Sequence, residues 1–285
     1  MSTDTLIALV DGSAYAESVC HHAAWIAGRT GAGVKVYHVM GRRQAPDQQD
    51  LSGAIRLGAR SKLLEELSAL DAQRARLAQE HGRAILEDAA AIIAADGGVA
   101  VETRLRHGDL VDTITAKENS GDMIIIGKRG EAAGMAAAHL GSNLERIVRA
   151  AHKPVFVANR AFQPVQRVLI AVDGGASSLK AVDYVARSPL FADLAVTVVF
   201  VGRETPEVAR MLGDAVATLA AGGIAAEQCI QPGEPEKVLA QMAGQGQGGL
   251  LVMGAYGHSR VRQLIIGSTT TEMIRSCKVP VLLMR

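Results

Sequence analysis

Aromatic side chains make up only 3% of the 285 residues. Stacking platforms for single-stranded nucleic acid are therefore hard to assemble. Charge of one sign is not in excess either, since 30 Lys and Arg face 29 Asp and Glu for a formal net charge of +1. No global basic field exists to hold DNA, RNA or an anionic membrane. The basic spots at Arg42 and Arg43, Lys128 and Arg129, and Arg260 with Arg262 are short and read as solvated loops. Cysteine is scarce: Cys20, Cys229 and Cys277 are odd in number, far apart and form no CxxC. That argues against a disulfide frame or a cysteine zinc site and for reduced, partly buried thiols in a cytosol. No run of about 18 apolar residues is present to span a bilayer. The opening MSTDTLIALVDGS has no basic n-region and too short an apolar run for a signal peptide. The expected location is the cytoplasm. His21 and His22 are adjacent, so on a helix they point about 100° apart, and no third ligand sits at metal-binding spacing.

What the chain does have is hydrophobic content, 48%, and a unit written twice. LIALVDGS at Leu6–Ser13 is answered by VLIAVDGG at Val168–Gly175. DMIIIGKRG (Asp122–Gly130) is answered by GLLVMGAYG (Gly249–Gly257), and HLGSNLERIVRAAHKPVFV (His139–Val157) by IIGSTTTEMIRSCKVPVLL (Ile265–Leu283). Three blocks matched in the same order imply duplicated domains, 1–160 and 161–285, with the boundary in the short polar piece Asn159–Gln166. Each half alternates apolar, β-branched runs with helical stretches. In the second half the runs are Val168–Val172, Leu194–Val201, Ala225–Ile230, Leu250–Met253 and Val279–Leu283. Runs apolar throughout suit strands buried on both faces, and their alternation with helices implies a parallel sheet. The expected fold is α/β: two tandem open, doubly wound, five-stranded sheets, each binding ligands beyond the carboxyl ends of its strands. The first half carries about 37 extra residues, roughly Pro46 to Gly82, in which Leu63, Leu67, Leu70 and Leu77 mark one helical face. A longer crossover helix and a partner-binding hairpin both fit.

Near the C-terminus a buried strand ends at Gly254, Gly257 follows after two residues and Gly267–Ser268 after nine more. A strand ending in glycine allows close approach to the backbone. Ser268 and Thr269 then open a helix, whose unpaired N–H groups and partial positive charge favour an anion such as phosphate. Glycine turns and capped helices also occur without ligands. Ser142-x-x-Glu145 and Thr269-x-x-Glu272 read equally as capping boxes, whose glutamate would crowd a phosphate. Asp173 ends the first strand of the half, as Asp11 does in the other, and should face the same crevice as Gly254. There it would accept from a ribose, help hold Mg²⁺, or cap the next helix.

The spacing G-x2-G-x9-G-[ST] at Gly254, Gly257, Gly267 and Ser268 resembles the ATP-binding signature of the universal stress protein family. The LIALVDGS and VLIAVDGG openings and the KVPVLLMR ending are similar to that family too, and the resemblance covers essentially the whole chain. It implies ATP or AMP, with or without Mg²⁺. The base would lie near the first strand ends, the phosphates on the glycine loop, and an aspartate at the ribose or metal. Carried onto this chain it implicates Ala171, Val172, Asp173, Val201, Met253, Gly254, Gly257, Gly267, Ser268 and Thr269. In the first half Asp11, Val39, Gly127, Gly130, Gly141 and Ser142 correspond, but ten residues rather than nine separate Gly130 from Gly141. There Lys128 and Arg129 would suit phosphates and Glu131 would not.

Other classes remain open. GQGQGG (Gly244–Gly249) follows a helix and precedes a strand, the reverse of a dinucleotide fingerprint. No G-x4-G-K-[ST], no G-x-S-x-G and no evident general base appear, so the leading expectation is a nucleotide-binding regulator without efficient turnover. An adenylylating enzyme and a nucleotide-free interaction scaffold are the alternatives. The last strands, Pro154–Ala158 and Pro280–Met284, are short apolar edges, expected to pair with each other across a pseudo-twofold axis. Dimerising members of the family use this edge, as the resemblance implies.

Overall fold

Runs of Ile, Val, Leu and Ala with no polar alternation should be covered on both faces, and they are. The computed structural model describes residues 5–41, 59–117, 121–130, 142–255 and 268–285. The first half supplies strands β1 (Thr5–Leu9), β2 (Gly33–Met40), β3 (Val101–His107), β4 (Met123–Gly127) and β5 (Val155–Ala158). Its helices are α1 (Ala16–Thr30), α2 (Ala59–Gly97), α3 (Leu110–Thr115) and α4 (Ser142–Ala150). The second half adds β6 (Arg167–Ala171), β7 (Ala195–Val201), β8 (Ala226–Gln231), β9 (Gly249–Gly254) and β10 (Val281–Met284). Its helices are α5 (Ala176–Arg187), α6 (Pro206–Ala221), α7 (Pro235–Gly244) and α8 (Ser268–Ser276). A short 3₁₀ turn at Pro189–Phe191 was not anticipated.

Local chemistry sets the helix ends. Pro206 and Pro235 open their helices where a missing N–H costs nothing. The Asp109 carboxylate accepts from the N–H groups of Val111 and Asp112 at the head of α3. Gly31 closes α1 in the left-handed region, φ 73°, with its N–H on the Ala27 carbonyl.

The ten strands form one sheet in the order β3-β2-β1-β4-β5-β10-β9-β6-β7-β8. Within each half every pairing is parallel. The halves join where β5 and β10 run antiparallel, with Val281 opposite Val157, Leu282 opposite Phe156 and Leu283 opposite Val155. Buried side chains form one continuous core on each face, and both cores draw on both halves. Further ties cross the seam. The Arg285 guanidinium donates to the carbonyls of Arg149 and Ala151 at the end of α4. Its counterpart in the other direction is Lys128, whose ammonium donates to the Cys277 carbonyl just past α8. Arg29 on α1 donates to the Leu190 carbonyl at 2.7 Å.

The longer crossover is a single 39-residue helix, α2, not a hairpin, among the described residues; positions 46–58 of the expected insertion lie outside them. Its C-terminal part docks through Leu86, Ala89 and Ile93. Toward its start Leu63, Leu64, Leu70 and Leu77 stay exposed. All three cysteines are free, and burial pushes the Cys20 thiol up to about 12. No described helix is long and apolar enough to cross a membrane.

Candidate nucleotide crevice and interdomain cleft

Parallel pairing of β6 with β9 sets Ala171 opposite Met253, so Val172 and Asp173 leave the sheet beside Gly254. Val172 and Met253 are buried, Ala171 is half-buried, and Val201 closes β7, the next strand over. In the first half Val39 lies in the equivalent second strand, and Asp11 follows β1 next to Gly127 at the end of β4. The strand-end residues expected at each crevice are therefore brought together. Gly257 and Gly267, and Gly141 in the first half, lie outside the described residues. Ser268 and Ser142 occupy the first positions of α8 and α4.

Asp173 holds the turn. Its Oδ1 accepts the Gly175 N–H at 2.8 Å and the Ser178 hydroxyl at 2.7 Å. Gly175, not Asp173, is the cap residue of α5, so the carboxylate braces the loop two residues ahead of the helix. The residue remains exposed at the strand end. Asp11 does the same for Ser13 at 3.0 Å, and an added Cβ on Gly130 would stand 2.8 Å from Asp11 Oδ2. Strand end and glycine loop are thus adjacent in the first half.

Three expectations need correction. Gly254 does not open the backbone to a ligand on its Cβ side: a Cβ there would lie 2.3 Å from Ser177 Oγ and 2.9 Å from the Ser178 nitrogen. Glycine is needed so that α5 can seat against β9. Gly127 answers the same need against Tyr15, at 2.6 Å. The Thr269-x-x-Glu272 capping box is not formed, because Thr269 already lies inside its helix. Glu145 and Glu272 pair forward with Arg149 and Arg275 instead. Lastly, Lys128, expected to suit phosphates at its own half's glycine loop, is instead buried and bonded by its ammonium across the seam to Cys277.

Two residues that the spacing did not single out define the start of α8. Thr270 is buried, and its hydroxyl donates to the Ala255 carbonyl at 3.2 Å, tying the first turn of α8 to the end of β9. The first-half counterpart is Leu144, buried in the core with no hydroxyl to offer. The three-threonine run was the available signal; only burial tells which threonine turns inward. Glu236, from the first turn of α7, accepts the Thr269 hydroxyl at 2.9 Å. Nothing in the local spacing announces a residue 33 positions away.

A separate cleft of about 250 Å³ lies between the halves. Tyr15, Lys128, Arg129, Asn159 and Arg160 line it from the first half, and Ile274 to Lys278 from the second. Among the described residues no three His, Cys, Asp or Glu side chains gather as a metal site. His22 lies buried between Phe156 and Phe162, and His21 bonds Asp96.

The universal stress protein family matches residues 3–159 and 202–285. Universal stress protein Slr1230 of Synechocystis sp. (strain ATCC 27184 / PCC 6803 / Kazusa) is 36% identical over 98% of this chain and 99% of its own. The crystal structure of a universal stress protein from Archaeoglobus fulgidus DSM 4304 covers 100% of this chain and 99% of its own with a TM-score of 0.71 at 20% identity. A functionally unknown protein from Pseudomonas aeruginosa PAO1 covers 99% and 92% with a TM-score of 0.60 at 17% identity. The architecture is therefore shared along the full length.

Proposed function

The chain belongs to the universal stress protein family, and from that premise we propose that its second half binds ATP or AMP and that the chain serves as a stress-response regulatory or adaptor module without efficient turnover. The carrying observation is the convergence of three anchored pieces. Asp173 and Gly254 end neighbouring strands, and Thr270 ties the head of α8 to the same strand. In this reading Ala171, Val172, Val201 and Met253 pack the base, and Asp173 accepts from the ribose or helps hold a nucleotide-bound Mg²⁺. Gly257, Gly267, Ser268 and Thr269 receive the phosphates, with the head of α8 supplying N–H groups and its partial positive charge. Gly254 serves by letting α5 close the crevice. The first half is the weaker site, with one extra loop residue, Leu144 in place of the Thr270 tie, and Lys128 engaged elsewhere. Asp11, Val39, Gly127, Gly130, Gly141 and Ser142 are its corresponding set.

We assign residues 1–160 and 161–285 to two domains arranged as an intrachain pseudo-dimer about the β5–β10 seam, acting in the cytoplasm. The exposed leucines of α2 favour a second reading, an interaction scaffold that needs no nucleotide.

Purified protein titrated with ATP should gain about 2.7 kcal/mol of stability at a hundredfold excess over Kd. Gly267→Val should abolish that gain. Gly254→Val is a poor test, because displacing α5 would damage the fold regardless of ligand. Glu236→Gln removes a carboxylate from the head of α8 and should tighten ATP binding by relieving repulsion on the phosphates. No thermal shift with ATP or AMP, and no nucleotide released from denatured protein, would leave the scaffold reading standing alone.

A further inference from the structure

We propose that the interdomain cleft is an oxyanion site that takes a phosphate-type ion, separate from the nucleotide crevice of the second half. Lys128, Arg160 and Lys278 line it, and no described carboxylate pairs with any of the three. Arg275 also lines it and is matched by Glu272. The α8 terminus contributes only about half a negative charge. One Lys128 proton meets the Cys277 carbonyl. Among the described residues no partner is shown for its two further ammonium donors or its charge, in a side chain only 8% exposed beside the cleft. Burial accordingly holds the Lys128 ammonium below its ordinary pKa. Buried charge of this kind is stabilised by an ionic partner, and an anion in the cleft is positioned to be one.

Asn159 narrows the chemistry. Its amide nitrogen donates to the Ala161 carbonyl at 2.9 Å and the Lys278 carbonyl at 3.1 Å, which fixes the orientation of the amide. The Oδ1 is then left buried and without a partner. An orphaned acceptor beside three cations calls for a ligand that offers both anionic oxygens and one O–H. Hydrogen phosphate and protonated pyrophosphate have both; sulfate near neutral pH has no O–H. The site exists only because the halves meet, since Lys128, Asn159 and Arg160 come from one and Lys278 from the other. It does not rest on nucleotide binding.

The test is thermal unfolding and calorimetric titration of the full chain with orthophosphate and pyrophosphate, against sulfate at matched ionic strength. Both phosphates should bind, with sulfate weaker. Lys128→Met, Arg160→Ser and Lys278→Ser should each weaken binding about tenfold, the scale of one charge-assisted hydrogen bond. Arg160 and Lys278 are exposed, so their variants remain informative even where Lys128→Met impairs folding. Gly267→Val should leave the phosphate response in place while removing that to ATP. Equal responses to sulfate and phosphate would reduce the site to an adventitious ion only. Loss with Lys128→Met but not with Arg160→Ser or Lys278→Ser would assign the ion to the first-half glycine loop and overturn the shared cleft.

Discussion

Replacing Phe156 by alanine is expected to cost about 3–5 kcal/mol of unfolding free energy, the range for truncating a fully buried aromatic side chain. Phe156 is 0% exposed in β5, faces Leu282 of β10 across the seam, and places its ring 5.1 Å from that of His22 on α1. The cavity would open where the halves join, so the loss falls on their coupling as well as on the first half's core. Urea unfolding followed by far-UV circular dichroism measures it. A midpoint moved by the equivalent of less than about 1 kcal/mol would show that the seam tolerates a hole and is not closely packed.

Acid should destabilise the protein through His22 in a definite window. Burial, ahead of the opposing bond to the Ser18 carbonyl, lowers its pKa from 6.5 to about 4. Nδ1 lies 2.7 Å from the Ser18 oxygen, while Nε2 is buried with no partner. A second proton would have to enter there among aromatic rings. The unfolded chain takes up that proton below about pH 6.5 and the folded chain only near pH 4, so unfolding is favoured increasingly as pH falls between the two. The integrated loss from this one group is about 3 kcal/mol, and none of it is felt above the unfolded pKa. His22→Gln should flatten the stability profile between pH 6.5 and 4 relative to the parent; parallel profiles would remove His22 as the cause. Because Phe156 and His22 touch, their double substitution should cost less than the sum of the singles.

The second half's strands were legible within one or two residues, because long β-branched runs seldom suit a helix. The repeat also announced both apolar edges, and they pair. What the residues could not announce was direction. Gly254 looks the same whether its missing Cβ admits a ligand or, as here, the side chain of Ser177. Ser-x-x-Glu and Thr-x-x-Glu look like capping boxes until arginines one turn on capture the glutamates. Lys128 looks like a phosphate ligand of its own loop, but the seam offers it a carbonyl from the other half. Gly254 and Lys128 meet partners distant in sequence, supplied by tertiary packing; the glutamates are taken by arginines three and four positions on.

The antiparallel join has a geometric corollary. Strands of the two halves point in opposite directions, so their carboxyl ends emerge on opposite rims of the molecule, and the two proposed crevices open away from each other. One element nevertheless reaches from rim to rim: α8 begins at the second half's proposed phosphate loop and ends at the interdomain cleft, nine residues or about 13 Å away. A ligand at either proposed mouth would therefore press on a terminus of the same short rod, whose other end borders the second mouth.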